Sequence, residues 1–275
     1  MADFLSNCFS GKRIVLIGCA QGHGYSVAAG CARNGADLLM IDHNPAIAEA
    51  AASLAAAGHR VAYKIADATQ PDSIKSSLAE LVGEGAVDGV VYLPRARVRK
   101  NWTELTPEDW HADVDTALSG AFFCIQAVYP YLCRSTQGPF VITLSSVLAG
   151  LAGNESAGYH SAKAGLESLT RYLAVQLGPQ GIRANAIQMG WLIKDKDLPR
   201  FNGEDNRAYR ESAIKAHPLR RIGYAEDLIN TILFLGTERS AFMTGQILCL
   251  DGGLTLQEHT HFASRMNEAT SPHGH

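Results

Sequence analysis

Two residues in the middle of the chain have a spacing suited to proton transfer. Tyr159 opens the string Y-H-S-A-K and Lys163 closes it, four positions later. On a helix, positions i and i+4 share a face, so the phenol and the ammonium point into one cleft. A free tyrosine titrates at about 10, too high for efficient proton transfer near neutrality, and a neighbouring ammonium favours the phenolate. In that setting Tyr159 can give or take the proton on a substrate oxygen. Upstream, the apolar run F-V-I-T-L-S ends in Ser145 and Ser146, and Ser146, thirteen residues before Tyr159, can hold the same oxygen by a hydrogen bond. A Tyr-x-x-x-Lys pair alone also describes an exposed helix face, so its meaning depends on what surrounds it.

A second constellation lies near the start. The run R-I-V-L-I-G (13–18) leads into G-C-A-Q-G-H-G, where Gly18, Gly22 and Gly24 frame Gln21 and His23, and an alanine-rich helical stretch follows. Glycines there let the backbone turn tightly and approach a pyrophosphate, while the helix N-terminus offers free N–H groups and partial positive charge. The strand–loop–helix context points to a dinucleotide, whose nicotinamide would exchange hydride as Tyr159 exchanges a proton. The second apolar run, D-L-L-M-I-D (37–42), ends in Asp42. A carboxylate at that strand end accepts hydrogen bonds from adenosine ribose hydroxyls and repels a 2′-phosphate, so the expected cofactor is NAD rather than NADP. The competing use of Asp42 is to cap the next turn. Asp67, just after the third strand, is a second candidate for contact with the adenine end.

These residues need a frame to hold them. Further apolar runs occur at 60–65, 89–93, 140–145, 184–188 and 246–250, with helix-length stretches such as 45–57 and 157–178 between them. Several runs are apolar without alternation, as expected of strands covered on both faces. Strand–helix repetition of this kind predicts an α/β fold, a doubly wound parallel sheet of about seven strands flanked by helices. No linker divides the chain, so one domain is expected over 1–256. The polar stretch 190–215 interrupts the alternation as an irregular segment and is read as a cover for substrate. The tail 257–275, ending in S-P-H-G-H, is expected to be weakly ordered.

The totals exclude some classes of function. A formal net charge of −3 argues against a nucleic-acid surface. The six cysteines form no C-x-x-C pair and no zinc-ligand spacing, so no metal is expected and they read as reduced core thiols. Neither a secretory leader nor an apolar stretch of membrane-spanning length is visible, and a cytoplasmic location follows as the expectation. Arg95, Arg97, Arg99 and Lys100 form the densest charge run. In an extended stretch Arg95, Arg97 and Arg99 share one side, which suits either an anion clamp for substrate or a solvated loop.

From Gly11 to Thr255 the sequence resembles the short-chain dehydrogenase/reductase family. The resemblance rests on G-C-A-Q-G-H-G, Asp42, Asp67, Ser146, Y-H-S-A-K, I-R-A-N-A-I-Q-M-G and P-L-R-R-I-G…T-G-Q-I-L-C-L-D-G-G. It implies a single Rossmann-like domain, a homotetramer or homodimer, and a small-molecule substrate. It also implies that Ser146 holds the substrate oxygen, that Tyr159 is the acid/base, and that Lys163 activates it and holds the nicotinamide ribose. Ala68, Leu93, Gly190 and Leu192 complete the expected cofactor contacts, and Trp191 is expected at the substrate. The implied activity is hydride transfer between NAD(H) and a secondary alcohol or ketone. Departures from the family pattern are Ile17 for the loop threonine, His23 for an apolar residue, Tyr92–Arg95 for N-N-A-G, Ala117 for the fourth catalytic asparagine, Met189 for proline and Lys194 for threonine. They leave two other readings open, a non-redox dehydratase or isomerase and a silent nucleotide-binding protein.

Overall fold

In the computed structural model, which describes residues 5–96 and 98–267, strand β1 (Arg13–Ile17) sends Ile14 and Leu16 to one side and Val15 and Ile17 to the other. Both sides are apolar cores, because alternate side chains of a strand face opposite ways and both faces are covered. The elements continue as α1 (Gly22–Arg33), β2 (Asp37–Asp42), α2 (Ile47–Ala56), β3 (Val61–Ile65), α3 (Pro71–Val82), β4 (Gly89–Tyr92), α4 (Pro107–Val114) and α5 (Gly120–Leu132). Then come β5 (Phe140–Ser146), α6 (Ala157–Leu177), β6 (Arg183–Met189), α7 (Leu198–Asn202), α8 (Arg207–Ala216), α9 (Ala225–Leu235), β7 (Ile247–Leu250) and α10 (His259–Asn267). The strands form one seven-stranded sheet in the order β3-β2-β1-β4-β5-β6-β7, parallel throughout.

One face of the sheet is packed by Val27 and Ala28 of α1, Ile47 and Leu54 of α2, and Leu228 and Ile232 of α9. The other is packed by Ile74 and Leu78 of α3, Ile125 and Val128 of α5, and Leu166 and Leu173 of α6. Each of these larger aliphatic side chains, fully buried, stabilises the fold by roughly 1.5–3 kcal/mol. The chain order reverses between β1 and β4, and ligands of doubly wound sheets bind at the strand C-termini beside such a switch point. The loops after these two strands touch there: a Cβ added to Gly18 would lie 2.8 Å from Pro94 Cγ.

Local signals account for the helix starts nearest the site. Thr106 and Asp109 form a capping box at α4, with Pro107 at its first position. Ser156 caps α6 by accepting from the Tyr159 amide at 3.0 Å. Between α4 and α5 the backbone makes a π-helical turn, Asp115–Ser119. The buried Tyr92 hydroxyl donates to the Thr116 carbonyl in that turn. The departure at Tyr92 thus serves the helix behind the sheet.

Three expectations need correction. The stretch 190–215 is not irregular: it contains α7 and α8, held by Trp191, whose ring lies 5.3 Å from Tyr209, and by the buried Phe201, Ala213 and Ile222. The tail is not weakly ordered throughout, since its first residues form α10. Glu258 accepts from the amides of Thr260 and His261 at 2.9 Å, and Arg265 donates to the α8 carbonyls of Lys215 and Ala216 at 2.8 Å, meeting acceptors that a helix end leaves open. His273 and His275 lie outside the described residues. Of the cysteines, Cys19, Cys31 and Cys124 are buried as expected, whereas Cys133 and Cys249 are exposed. Among the described residues, no helix is long and apolar enough to cross a membrane.

Candidate active site

The catalytic candidates are delivered by β5 and α6, two of the best buried elements. Ser145 and Ser146 point to opposite sides of the strand end. Ser145 Oγ donates to Glu167 Oε1 at 2.8 Å, a carboxylate that Gln188 Nε2 also reaches at 2.9 Å, so this serine is tied into the packing of α6 on β6. Ser146 lies at the mouth, its Oγ accepting from the Leu148 amide at 3.2 Å and retaining a donor hydrogen.

Tyr159 is 6% exposed and stands between two cations: Lys163 Nζ is 5.7 Å from its ring centroid and Arg95 Cζ is 5.8 Å from it. Lys163 is buried, and its ammonium donates to the Leu144 carbonyl at 2.6 Å. Burial above all, then the Arg95 charge, pushes Lys163 down to about 7, with Asp113 pulling the other way. Loss of hydration penalises a charged amine in an apolar site, and a nearby cation adds to the penalty. The i, i+4 spacing therefore does bring phenol and ammonium together.

The loop that would hold a dinucleotide fits one. Gly18 and Gly22 have φ of +81° and +58°, the left-handed region where a side chain is strained. Gly24 lies so close to the Gly18 carbonyl that no Cβ fits between them. Helix α1 starts at Gly22 with no side-chain cap and no acidic residue in its first turn, which leaves its N–H groups for an anion. Gln21 is the residue preceding that first turn. His23 Nδ1 is buried without a hydrogen-bond partner among the described residues. Burial foremost holds the His23 imidazole below its usual range; a Leu192 backbone hydrogen bond opposes this, and Lys194, Asp195 and Arg95 all act on the ring. The glycine loop, the strap after β6 and the Tyr159 cluster therefore share one electrostatic environment. The strap is tied down where Ser26 Oγ donates to Asp195 Oδ2 at 2.6 Å.

Asp42 is buried at the end of β2. Its carboxylate accepts from the Ala20 amide at 2.8 Å and from the Asn44 amide at 2.9 Å, closing the next turn and pinning the glycine loop together. Each oxygen keeps a further lone pair for a ribose hydroxyl. Asp67 is bound in a turn of its own, accepting from the Thr69 amide at 2.8 Å. Ala68 and Leu93 are buried at the ends of their segments, Leu93 donating its amide to the Ile17 carbonyl at 3.0 Å. Gly190 packs against Asp251, where an added Cβ would come within 2.6 Å of the Asp251 side chain. Leu192 bridges to Gly223.

Beside the start of α6, an open groove of about 440 Å³ is lined by Trp102, Leu148, Gly153, Glu155 and His160. Arg95 sits above Tyr159, pairs with Glu155 at 3.6 Å, and keeps about a third of its side chain (32%) exposed. Lys100 turns to Asp109 at 2.6 Å. Of the three arginines expected to share one side, Arg95 is the one with a contact at Tyr159, and Arg97 lies outside the described residues. Trp191 is turned toward Tyr209 and His217, at 5.3 and 6.2 Å, in the core of the covering segment. A 60 Å³ cavity beside it, lined by Leu219, Ile222 and Asp227 among others, stands apart from the catalytic groups.

One group at the site escaped sequence reasoning. Asp113 on α4 is 1% exposed and packs against α6. It accepts from the Ser156 hydroxyl, and its Oδ1 is buried without a partner among the described residues. The available signal was its position four residues before Ala117, on the same helical face.

The family model described as enoyl-(acyl carrier protein) reductase matches residues 18–255. L-rhamnose 1-dehydrogenase (NAD(P)(+)) of Azotobacter vinelandii is 32% identical over 252 residues, spanning 88% of this chain and 96% of its own. 3-Oxoacyl-(acyl-carrier-protein) reductase FabG of Staphylococcus epidermidis is 28% identical over 251 residues, spanning 88% and 98%. Among solved structures, a gluconate 5-dehydrogenase from Burkholderia cenocepacia in complex with NADP and tartrate is similar with a TM-score of 0.82 at 26% identity, over 93% of this chain and 100% of that one. Motifs, sheet order and relatives agree: the chain belongs to the short-chain dehydrogenase/reductase family of oxidoreductases.

Proposed function

We propose that this protein is an NAD(H)-linked oxidoreductase that interconverts a secondary alcohol and a ketone, with Ser146, Tyr159 and Lys163 as its catalytic residues. The observation that carries this reading is the meeting of Tyr159 with Lys163 on α6 beside the glycine loop that opens at the β1/β4 switch. A nicotinamide cofactor bound there supplies the hydride acceptor or donor. Gly18, Gln21, Gly22, His23 and Gly24 would hold its pyrophosphate, Asp42 its adenosine ribose, Asp67 and Ala68 its adenine end, and Leu93, Gly190 and Leu192 its nicotinamide side. Ser146 holds the substrate oxygen, Tyr159 moves the proton at that oxygen, and Lys163 keeps the phenol acidic from behind. The buried Tyr–Lys pair works with little competing water, which strengthens each charge–charge contact.

Arg95 favours a substrate with a carboxylate near the reacting carbon, because a guanidinium over the catalytic ring suits a planar anion. The gluconate 5-dehydrogenase similar to this chain holds tartrate, a hydroxy acid whose hydroxyl carbons adjoin its carboxylates. The sequence also nominates Arg97 and Trp191 for the same substrate. The exposed Phe123, Tyr172 and Val175 on α5 and α6, with the edge strand β7, offer faces for a homodimer or homotetramer in the cytoplasm.

Titration with NADH and NADPH, followed by fluorescence, tests the cofactor assignment. NADH is expected to bind more tightly than NADPH, with the preference lost in Asp42→Ala; failure to bind either removes the dehydrogenase reading. Absorbance at the nicotinamide band with a panel of hydroxy acids and other alcohols then tests turnover, and its absence despite NADH binding would favour a non-redox enzyme or a binding protein.

A further inference from the structure

We propose that Asp113 is a positioning residue for this reaction, anchoring the start of the catalytic helix through Ser156 and presenting a buried negative charge to Lys163 from the α4 side. The assignment rests on the oxidoreductase reading above and adds a residue that neither the motifs nor the relatives' names supply.

The geometry forms a short chain. The Ser156 hydroxyl donates to Asp113 Oδ2 and accepts from the Tyr159 amide at 3.0 Å. The acid therefore acts on the backbone of the residue that carries the phenol, through the Ser156 hydroxyl and through the direct pull of the Tyr159 amide on the carboxylate. The fit is close, since a Cβ on Gly158 would stand 3.0 Å from the Asp113 Cβ, so α4 and α6 meet at van der Waals distance there. A carboxylate 1% exposed is costly to bury, and one whose second oxygen has no partner among the described residues is costlier still. An apolar residue would pack α4 against α6 without that penalty.

The charges around Asp113 define its effect. Asp109 and Glu155 act on Asp113 as like charges, but each has a cation of its own: Lys100 lies 2.6 Å from Asp109 and Arg95 lies 3.6 Å from Glu155. Burial first raises the Asp113 carboxyl above its usual range, and the Ser156 hydrogen bond opposes this. On Lys163 burial and Arg95 act against the ammonium, and Asp113 acts for it. On α6, Tyr159 lies beside Lys163, and His160, whose Nδ1 is 2.7 Å from the Ser156 carbonyl, is a further titratable group near Ser156. Asp113 stands one helical turn before Ala117, in the helix region where the family places its asparagine, and supplies a polar group that Ala117 does not. No bond is made or broken at Asp113; it favours the charged form of Lys163 and holds Tyr159 in place.

The test uses the full-length protein and two variants. Asp113→Asn keeps the shape and removes the charge; Ser156→Ala keeps the charge and cuts the link to Tyr159. In free protein labelled with 13C-lysine, the Lys163 resonance, identified by its loss in Lys163→Met, is titrated by NMR. Its midpoint is expected to fall by about one unit in Asp113→Asn, a tenfold change in the protonation equilibrium, and the alkaline limb of the pH–rate profile should move down with it. In Ser156→Ala the midpoint should stay, while kcat falls about tenfold at unchanged NADH affinity and is restored by Ser156→Thr. An unmoved Lys163 midpoint in Asp113→Asn overturns the electrostatic role, and an unchanged kcat in Ser156→Ala overturns the anchoring role, whatever happens to thermal stability. If the wild-type protein binds no nicotinamide cofactor, the oxidoreductase reading fails, and the NMR midpoint still decides whether Asp113 acts on Lys163.

Discussion

Two buried aspartates, Asp42 at the cofactor end and Asp113 at the catalytic end, show how the two halves of this site are built. Asp42 spends its charge on backbone amides, one from the glycine loop and one from its own turn, so both oxygens are engaged before any ligand arrives. Asp113 engages one oxygen with a serine hydroxyl and leaves the other buried, without a partner among the described residues. The first arrangement is rigid and well solvated by protein dipoles, as a preformed cradle needs. The second stores unfavourable burial beside the groups proposed to change protonation, and perturbed titrations gather where protons move. The cofactor end is thus specified by backbone geometry, and the catalytic end by side-chain charge.

That contrast predicts separable failures. The largest effect is expected from Tyr159→Phe, which removes the proton carrier: turnover should fall about a thousandfold, within the span of acid–base contributions, with NADH affinity within about twofold of wild type. A parallel loss of affinity would show that the two ends are not independent. Asp42→Ala should act in mirror image, weakening NADH by about tenfold, about 1.4 kcal/mol, while kcat at saturating cofactor is preserved; a collapse of kcat there would break the comparison from the other side.

A subtler consequence concerns pH. Lys163 has its folded value near 7, against an ordinary lysine value of about 10.4. Across that window the unfolded chain holds a proton that the folded protein has released, so the stability contributed at this position rises with pH, and its full cost is felt below about 7. Melting temperatures of the free wild type and Lys163→Met, compared at about pH 7 and pH 9, should differ by a pH-dependent increment that shrinks toward alkaline pH. An increment that grows instead would contradict the buried-ammonium description. The smallest effect is expected at Tyr92→Phe, which strips the Thr116 carbonyl of its donor in the π-helical turn. A loss of about 1–2 kcal/mol in denaturant unfolding, with NADH affinity retained, would place Tyr92 behind the site rather than in it.

Much of this was legible in the chain itself. The strands stand out because they are buried on both faces and read as short apolar runs, and β1, β2 and β5 lie within a residue of the runs that mark them. Tyr159 and Lys163 meet as their i, i+4 spacing suggests, whereas the approach of Arg95 to Tyr159 is visible only in the structure. What stayed hidden depends on contacts distant in sequence. Helices α7 and α8 are polar and short, and they persist because Trp191, Phe201 and Tyr209 pack together. Helix α10 is held by Arg265 reaching α8, some fifty residues earlier. Asp113 was overlooked because an acid on an amphipathic helix ordinarily faces water, and only the arrival of α6 buries it.

The aromatic packing of the covering segment also makes it an optical reporter. Trp191 has Tyr209 and His217 at 5.3 and 6.2 Å, whereas the other two tryptophans, Trp102 and Trp110, are 78% and 41% exposed and lie on other elements. With Trp102 and Trp110 replaced by phenylalanine, the remaining emission comes from inside the 190–215 segment alone. Any movement of that segment on ligand binding would then register as a change in colour and intensity, and a stopped-flow fluorimeter could time it without any added dye.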